Sequence, residues 1–160
     1  MRLSPGLASW RVWVSMAPED KSKHKEFTLE IITPERVVVE DEVESVVLSS
    51  PEGYFGILRN HAPFIGGLNI GVLKFRKDGK LHWVASDNGV FEMSGNKLRI
   101  MTDAAERGED INVLRAKQAY ERAKRRLDEK RTGMDYLRAE LALKRSLARL
   151  KAAAGECKSS

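Results

Sequence analysis

At 160 residues with a formal net charge of +5, the chain holds one ordinary domain, or a small domain with an appendage. Its hydrophobic content of 42% excludes global disorder, and no apolar run reaches the roughly 20 residues that cross a bilayer as a helix. The single cysteine, Cys157, excludes an intrachain disulfide and fits a reducing compartment.

Residues 1–25 read as an extension without fixed structure. They carry Trp10 and Trp13, but Arg11 and Ser15 interrupt the apolar stretch, which is too short and polar for a signal-peptide core. Residues 26–102 read as short strands. Phe27, Leu29 and Ile31 alternate with polar neighbours, Thr33-Pro34-Glu35 turns the chain, and Arg36 to Val39 is β-branched. Val43 to Ser49 follows, broken by Ser50-Pro51-Glu52-Gly53. Ile70 to Arg76 and Lys80 to Ala85 flank Asp78-Gly79, a strong hairpin signal. After Asn88-Gly89, Val90 to Met93 and Lys97 to Thr102 flank Gly95-Asn96. Short strands with frequent turn signals predict a β-sandwich or flattened barrel.

The period changes after Asp103. Residues 103–110 read as a linker, 111–151 as an antiparallel two-helix hairpin turning at Thr132-Gly133, and 152–160 as a flexible tail. The fold class is α+β. Ala116, Ala119, Ala123 and Leu127 form a helical stripe of mostly small residues. Met134, Leu137, Leu141 and Ala148 are the facing side of the second helix, with Leu143, Leu147 and Leu150 adjoining. Asn112 is the N-cap of the first helix, with Asp110 as competitor, and Gly133 terminates that helix. An alanine seam gains little by burial, about 0.8 kcal/mol per methylene-sized group, so the hairpin is a candidate switch.

Charge divides along the same boundary. Residues 27–102 carry 8 Lys/Arg against 10 Asp/Glu, and residues 103–160 carry 15 against 10. About the hairpin turn, Arg122 lies level with Arg145 and Arg115 with Arg149. Such a set either stays solvated or cradles a polyanion such as a triphosphate, each guanidinium offering a fork of donors. A basic face also suits an acidic protein partner or a nucleic acid. Only two helical aromatics, Tyr120 and Tyr136, and ten diluting acids weigh against nucleic acid.

Catalytic signatures are missing. Gly66-Gly67-Leu68-Asn69-Ile70-Gly71 lacks the lysine and helix start of a phosphate loop. His24, His61 and His82 are far apart, and one cysteine cannot complete a zinc site. Glu40, Asp41, Glu42 and Glu44 read as a solvated turn rather than a cation site. His61 lies in a loop between strands, where packing or hydrogen bonding is its ordinary role. The chain is not read as an autonomous enzyme.

The order of sandwich and hairpin, together with Thr33-Pro34-Glu35, Gly56-Ile57-Leu58, His61-Ala62-Pro63, Asp103-Ala104-Ala105-Glu106, Ile111 to Ala116, Glu121-Arg122-Ala123 and Arg138 to Arg145, resembles the epsilon subunit of bacterial F-type ATP synthase. The resemblance covers about residues 27 to 151, and the hairpin looks most like Bacillus-type members. It implies a non-catalytic rotor subunit of the central stalk, peripheral at the cytoplasmic face of the bacterial membrane and reaching the membrane only through the complex. The implied partners are the gamma subunit and the c-subunit ring, met through a loop represented here by Tyr54, Ile57, His61 and Pro63. When the hairpin extends, the partners include the alpha and beta catalytic subunits, with an acidic segment of beta, and ATP hydrolysis is inhibited. No cofactor is required; ATP is implied as a regulatory ligand of the folded hairpin. Its motif carries over to Glu106, Ile111, Asn112, Arg115, Ala116, Arg122, Arg145 and Arg149. Two departures stand out. Asn112 replaces the motif's aspartate, keeping a cap oxygen but losing the charge, and Tyr54 replaces an acidic residue. A rotor subunit without a working nucleotide site is the competing reading.

Overall fold

A computed structural model of the chain describes residues 25–129 and 133–155, Met134 by its backbone alone. Trp10, Trp13, His24, Thr132, Cys157, the extension to residue 24 and the tail beyond residue 155 lie outside the described residues. Ten strands form two five-stranded sheets. The first sheet contains β1 (Phe27–Ile32), β2 (Val37–Val43), β5 (Phe64–Leu68), β8 (Gly89–Ser94) and β9 (Lys97–Thr102), in the order β2-β1-β9-β8-β5. The second contains β3 (Ser45–Ser50), β4 (Gly53–Ile57), β6 (Gly71–Lys77), β7 (Lys80–Ser86) and β10 (Ala105–Arg107), in the order β10-β7-β6-β3-β4. All pairs are antiparallel except β1 with β9.

Alternation builds the core. Phe27, Leu29 and Ile31 of β1 meet Val46, Leu48, Leu73, Phe75 and Val84 across the sandwich, with Phe91, Met93, Leu98 and Ile100 beside them, all buried. Each such side chain contributes about 1.5–3 kcal/mol by leaving water. The predicted turn at Asp78-Gly79 has positive φ at both residues (50° and 72°), the twist a two-residue hairpin needs.

Four expectations are corrected. β4 and β5 are strands that alternation does not reveal, because Gly53-Tyr-Phe-Gly-Ile and Phe-Ile-Gly-Gly-Leu are glycine-rich. A Cβ on Gly66 would sit 2.6 Å from Phe91 Cζ, so this glycine serves close packing against an aromatic ring. The acidic run is strand, not turn. Glu40, Asp41 and Glu42 lie on β2 at a sheet edge, where charge discourages pairing with another chain. Asp41 pairs with Lys77 (2.5 Å) and Arg107 (3.7 Å), and Glu42 accepts from Thr28 Oγ1 (2.6 Å). Residues 103–110 are more than a linker, since β10 pairs with β7 and Gly108–Asp110 forms a 3-10 turn.

The fourth correction concerns the hairpin, formed by α1 (Val113–Asp128) and α2 (Met134–Ala153). Asn112 caps α1, its Oδ1 accepting from Arg115 N at 2.9 Å. Gly133 does not end α1, whose C-cap is Glu129; it occupies the N-cap of α2 with φ 75°. Leu137 and Leu147 are exposed, while Ala139, Ser146, Ala148 and Ala152 are buried. Ala148 and Ala152 join Ile111, Ala116, Val72 and Ala85 in a second, smaller core between the hairpin and the outer face of β6 and β7. Small side chains let a helix approach a sheet closely, so alanines are fully buried here, while Leu150 packs at the edge and Leu137 and Leu147 stay exposed. Leucine-rich cores gain more per residue, so this seam holds the hairpin less firmly than the sandwich holds itself.

Candidate functional site

Between α2 and the sandwich lies a cleft of about 170 Å³. It is lined by Arg36, Asp87, Glu106, Arg145, Ala148 and Arg149, together with residues of β7 and of the 104–105 segment. Arg145 and Arg149 are one turn apart on α2 and therefore share a face. Ala148 faces the same direction and leaves the space open.

Asp87 sits where the chain crosses from β7 in one sheet to β8 in the other. Its backbone is fixed, with N–H donating to Ala104 O (2.9 Å) and C=O accepting from Thr102 Oγ1 (3.0 Å). Its Oδ1 accepts from Asn88 N at 2.8 Å. Its Oδ2 accepts from Arg145 Nε at 2.6 Å, and the side chains are 9% and 40% exposed respectively. Glu106 projects from the edge strand β10 and accepts from Arg149 Nε at 3.2 Å. Two charge pairs thus cross from hairpin to sandwich. An arginine bound to a carboxylate through Nε keeps other donors of its guanidinium for a second anion.

The predicted nucleotide residues are divided. Glu106, Arg145 and Arg149 come together in the cleft. Ile111 and Ala116 are buried in the second core and act through packing. Asn112 spends its side-chain oxygen on the α1 cap. Arg115 and Arg122 are exposed on α1, outside the cleft lining, with no ion-pair partner among the described residues. The four arginines are thus divided: Arg145 and Arg149 line the cleft, and Arg115 and Arg122 are exposed on α1 outside it. Arg145 and Arg149 turn to the sandwich, the side on which α2 docks, and pair there with Asp87 and Glu106. Asp87 and Arg36 escape a sequence reading, since each resembles an ordinary turn residue.

Of the predicted rotor-contact residues, Tyr54 and Pro63 are exposed and His61 is half-buried, its Nδ1 2.9 Å from Ala62 O. Ile57 is only 1% exposed and belongs to the sandwich core, so it offers no side chain to a partner; its neighbour Leu58, 61% exposed, does. The outer face of the first sheet carries an apolar row in register. Val37 pairs with Ile32, Ile32 with Met101, and Met101 with Val90; Val37, Met101 and Val90 are exposed. Among the described residues no helix is long and apolar enough to cross a membrane, and no group of three His, Cys, Asp or Glu side chains could hold a metal ion.

Comparison with known proteins places both parts of the chain. Residues 26–108 match the family "ATP synthase, Delta/Epsilon chain, beta-sandwich domain", and residues 109–154 match "ATP synthase, Delta/Epsilon chain, long alpha-helix domain". The chain is 46% identical over 127 residues to an ATP synthase epsilon chain of Desulfitobacterium hafniense (79% of this chain, 96% of that one). It is 44% identical over 129 residues to that of Symbiobacterium thermophilum (80% and 93%), and 48% over 126 residues to that of Moorella thermoacetica (78% and 94%). A chain in the structure of the Euglena gracilis mitochondrial ATP synthase (OSCP/F1/c-ring, rotational state 1) superposes with a TM-score of 0.70 at 20% identity, covering 81% of each chain, a likeness of fold.

Proposed function

The chain belongs to the ATP synthase delta/epsilon family, and from that premise we propose that it is a non-catalytic rotor subunit of the bacterial enzyme whose hairpin is a nucleotide-biased brake on ATP hydrolysis. Docked on the gamma subunit and the c-subunit ring, it helps couple proton flow to rotation, peripheral at the cytoplasmic face of the membrane. The in-register apolar row of Val37, Met101 and Val90 supports a protein-covered face on the first sheet. Tyr54, Leu58 and Pro63 supply a second contact at the β4–β5 loop.

One observation carries the regulatory part: hairpin and sandwich meet across a cleft whose charged groups come from both. A ligand held by such a cleft binds only the folded hairpin and stabilises it by RT ln(1 + [L]/Kd), about 2.7 kcal/mol at a hundredfold excess over Kd. ATP is that ligand. The cleft, about 170 Å³, is smaller than the roughly 300–1,000 Å³ of whole-ligand pockets, so it seats the phosphate chain while the base lies outside. When ATP falls, the alanine seam opens and the basic helices extend to the alpha and beta subunits.

A calorimetric titration of the intact chain with ATP, and with ADP for comparison, tests this. Saturable binding that prefers ATP is the expected result; absence of heat at millimolar ATP would sink the nucleotide reading. A purely mechanical rotor subunit is the second reading. It is favoured by the carboxylates already neutralising Arg145 and Arg149, which any incoming anion must rival.

A further inference from the structure

We infer that Arg36 is an anion-binding residue of the cleft, completing with Arg145 and Arg149 a three-guanidinium clamp for a phosphate chain. This inference rests on the reading that the cleft takes a phosphate-bearing ligand.

Three arginines line the cleft, Arg36, Arg145 and Arg149, with two acidic residues, Asp87 and Glu106. The carboxylates are committed to the two arginines of α2. The Arg36 guanidinium has no hydrogen-bond or ion-pair partner among the described residues, and the cleft carries one unmatched positive charge. Arg36 is nevertheless held in place. It closes the turn between β1 and β2, where Thr33 N and Thr33 Oγ1 donate to Arg36 O at 2.9 and 3.0 Å, and Arg36 N donates to Thr33 Oγ1 at 3.3 Å. A fixed backbone reduces the ordering cost of using the side chain.

The origins of the three arginines give the arrangement its consequence. Arg36 belongs to the sandwich and the other two to the hairpin. An anion bridging them fastens hairpin to sandwich. Phosphate suits the site because its oxygens accept several N–H donors at once and three arginines line the cleft.

The test compares the intact chain with Arg36→Gln and Arg36→Lys, titrated with ATP and separately with inorganic triphosphate, alongside thermal unfolding without ligand. Arg36 is exposed, so the unliganded unfolding midpoints should coincide. Arg36→Gln is expected to lose roughly tenfold in affinity for both ligands, and Arg36→Lys to recover part of it. Unchanged affinity in Arg36→Gln beside a binding parent would overturn the role of Arg36 and leave the nucleotide reading intact. A loss confined to ATP would place Arg36 on the base or ribose and overturn the phosphate clamp. A parent chain that binds neither ligand would overturn both the inference and the reading beneath it.

Discussion

Arg145 of α2 donates from Nε to Oδ2 of Asp87 at 2.6 Å, joining the hairpin to the crossover between the two sheets through residues 58 positions apart. Asp87 is the nearly buried partner and is fixed by its own backbone bonds, so under the proposed nucleotide reading it competes with a ligand's phosphate for Arg145. Asp87→Asn should therefore have two opposite effects. Without nucleotide the hairpin loses a latch worth on the order of 1 kcal/mol, since Arg145 is partly solvated. With nucleotide, affinity should rise because a competing charge has gone. Hairpin position by distance-dependent fluorescence, with and without ATP, reads both; affinity that falls in the variant would contradict a competing role.

Gly108 tests the seam without touching a charged group. A Cβ there would lie 2.3 Å from the Ala152 carbonyl oxygen and 3.3 Å from that of Trp83, both backbone atoms. Gly108→Ala must displace the end of α2, at a cost of about 1–3 kcal/mol. Under the proposed brake, the hairpin should shift toward an open state and ATP affinity should drop in proportion, because the cleft needs hairpin and sandwich together. Unaltered proteolytic sensitivity of the hairpin would show that α2 adjusts at no cost.

At the α1 cap, Asn112→Ala removes the acceptor for Arg115 N, and about 1 kcal/mol of stability with it. Asn112→Asp keeps the acceptor and adds an anion near the helix N-terminus, stabilising by about 0.3–1 kcal/mol at low salt. Helical ellipticity and hairpin melting should order the three proteins as Asp, Asn, Ala. Equal melting of the Asn and Ala forms would mean the cap contributes nothing.

In the rotor-contact loop, burial separates two neighbours. Ile57→Ala opens a hole in the sandwich core and should cost about 2–5 kcal/mol, whereas Leu58→Ala should leave stability within about 0.5 kcal/mol. If Leu58 meets the c-subunit ring, its truncation should instead weaken assembly, measured by co-purification with the complex. A Leu58→Ala chain that assembles normally would remove Leu58 from the interface.

The pH dependence has a defined sign at Glu30. Hydrogen bonds from Arg99 and then Lys97 hold its carboxyl below the ordinary value of 4.5, and Glu30 in turn raises Arg99. Folding thus favours the ionised form. The stabilisation is complete above pH 4.5 and is lost as pH falls through the lowered folded-state pKa. Glu30→Gln should unfold more easily than the parent at neutral pH, and the difference should shrink in acid. A gap that widens in acid would reverse the assignment.

Much of the architecture was legible because it depends on neighbours in the chain. The alternation of Phe27, Leu29 and Ile31, the turn at Asp78-Gly79 and the cap at Asn112 are local effects of side-chain period and backbone conformation. The wording of residues 103–116 and 138–145 carried the family. β4 and β5 were not legible, since glycines interrupt their alternation, and Gly66 answers to Phe91 in another strand and not to a local pattern.

The cleft belongs to a different order of information. Which way Arg145 and Arg149 point follows from which face of α2 docks, and that depends on how closely Ala148 and Ala152 can approach Val72 and Ala85. Helical spacing placed the four arginines at matching heights, but height along a hairpin does not fix rotation about a helix axis. Rotation was decided by packing against a sheet assembled from residues far away in sequence, which brought Asp87, Glu106 and Arg36 to the same opening.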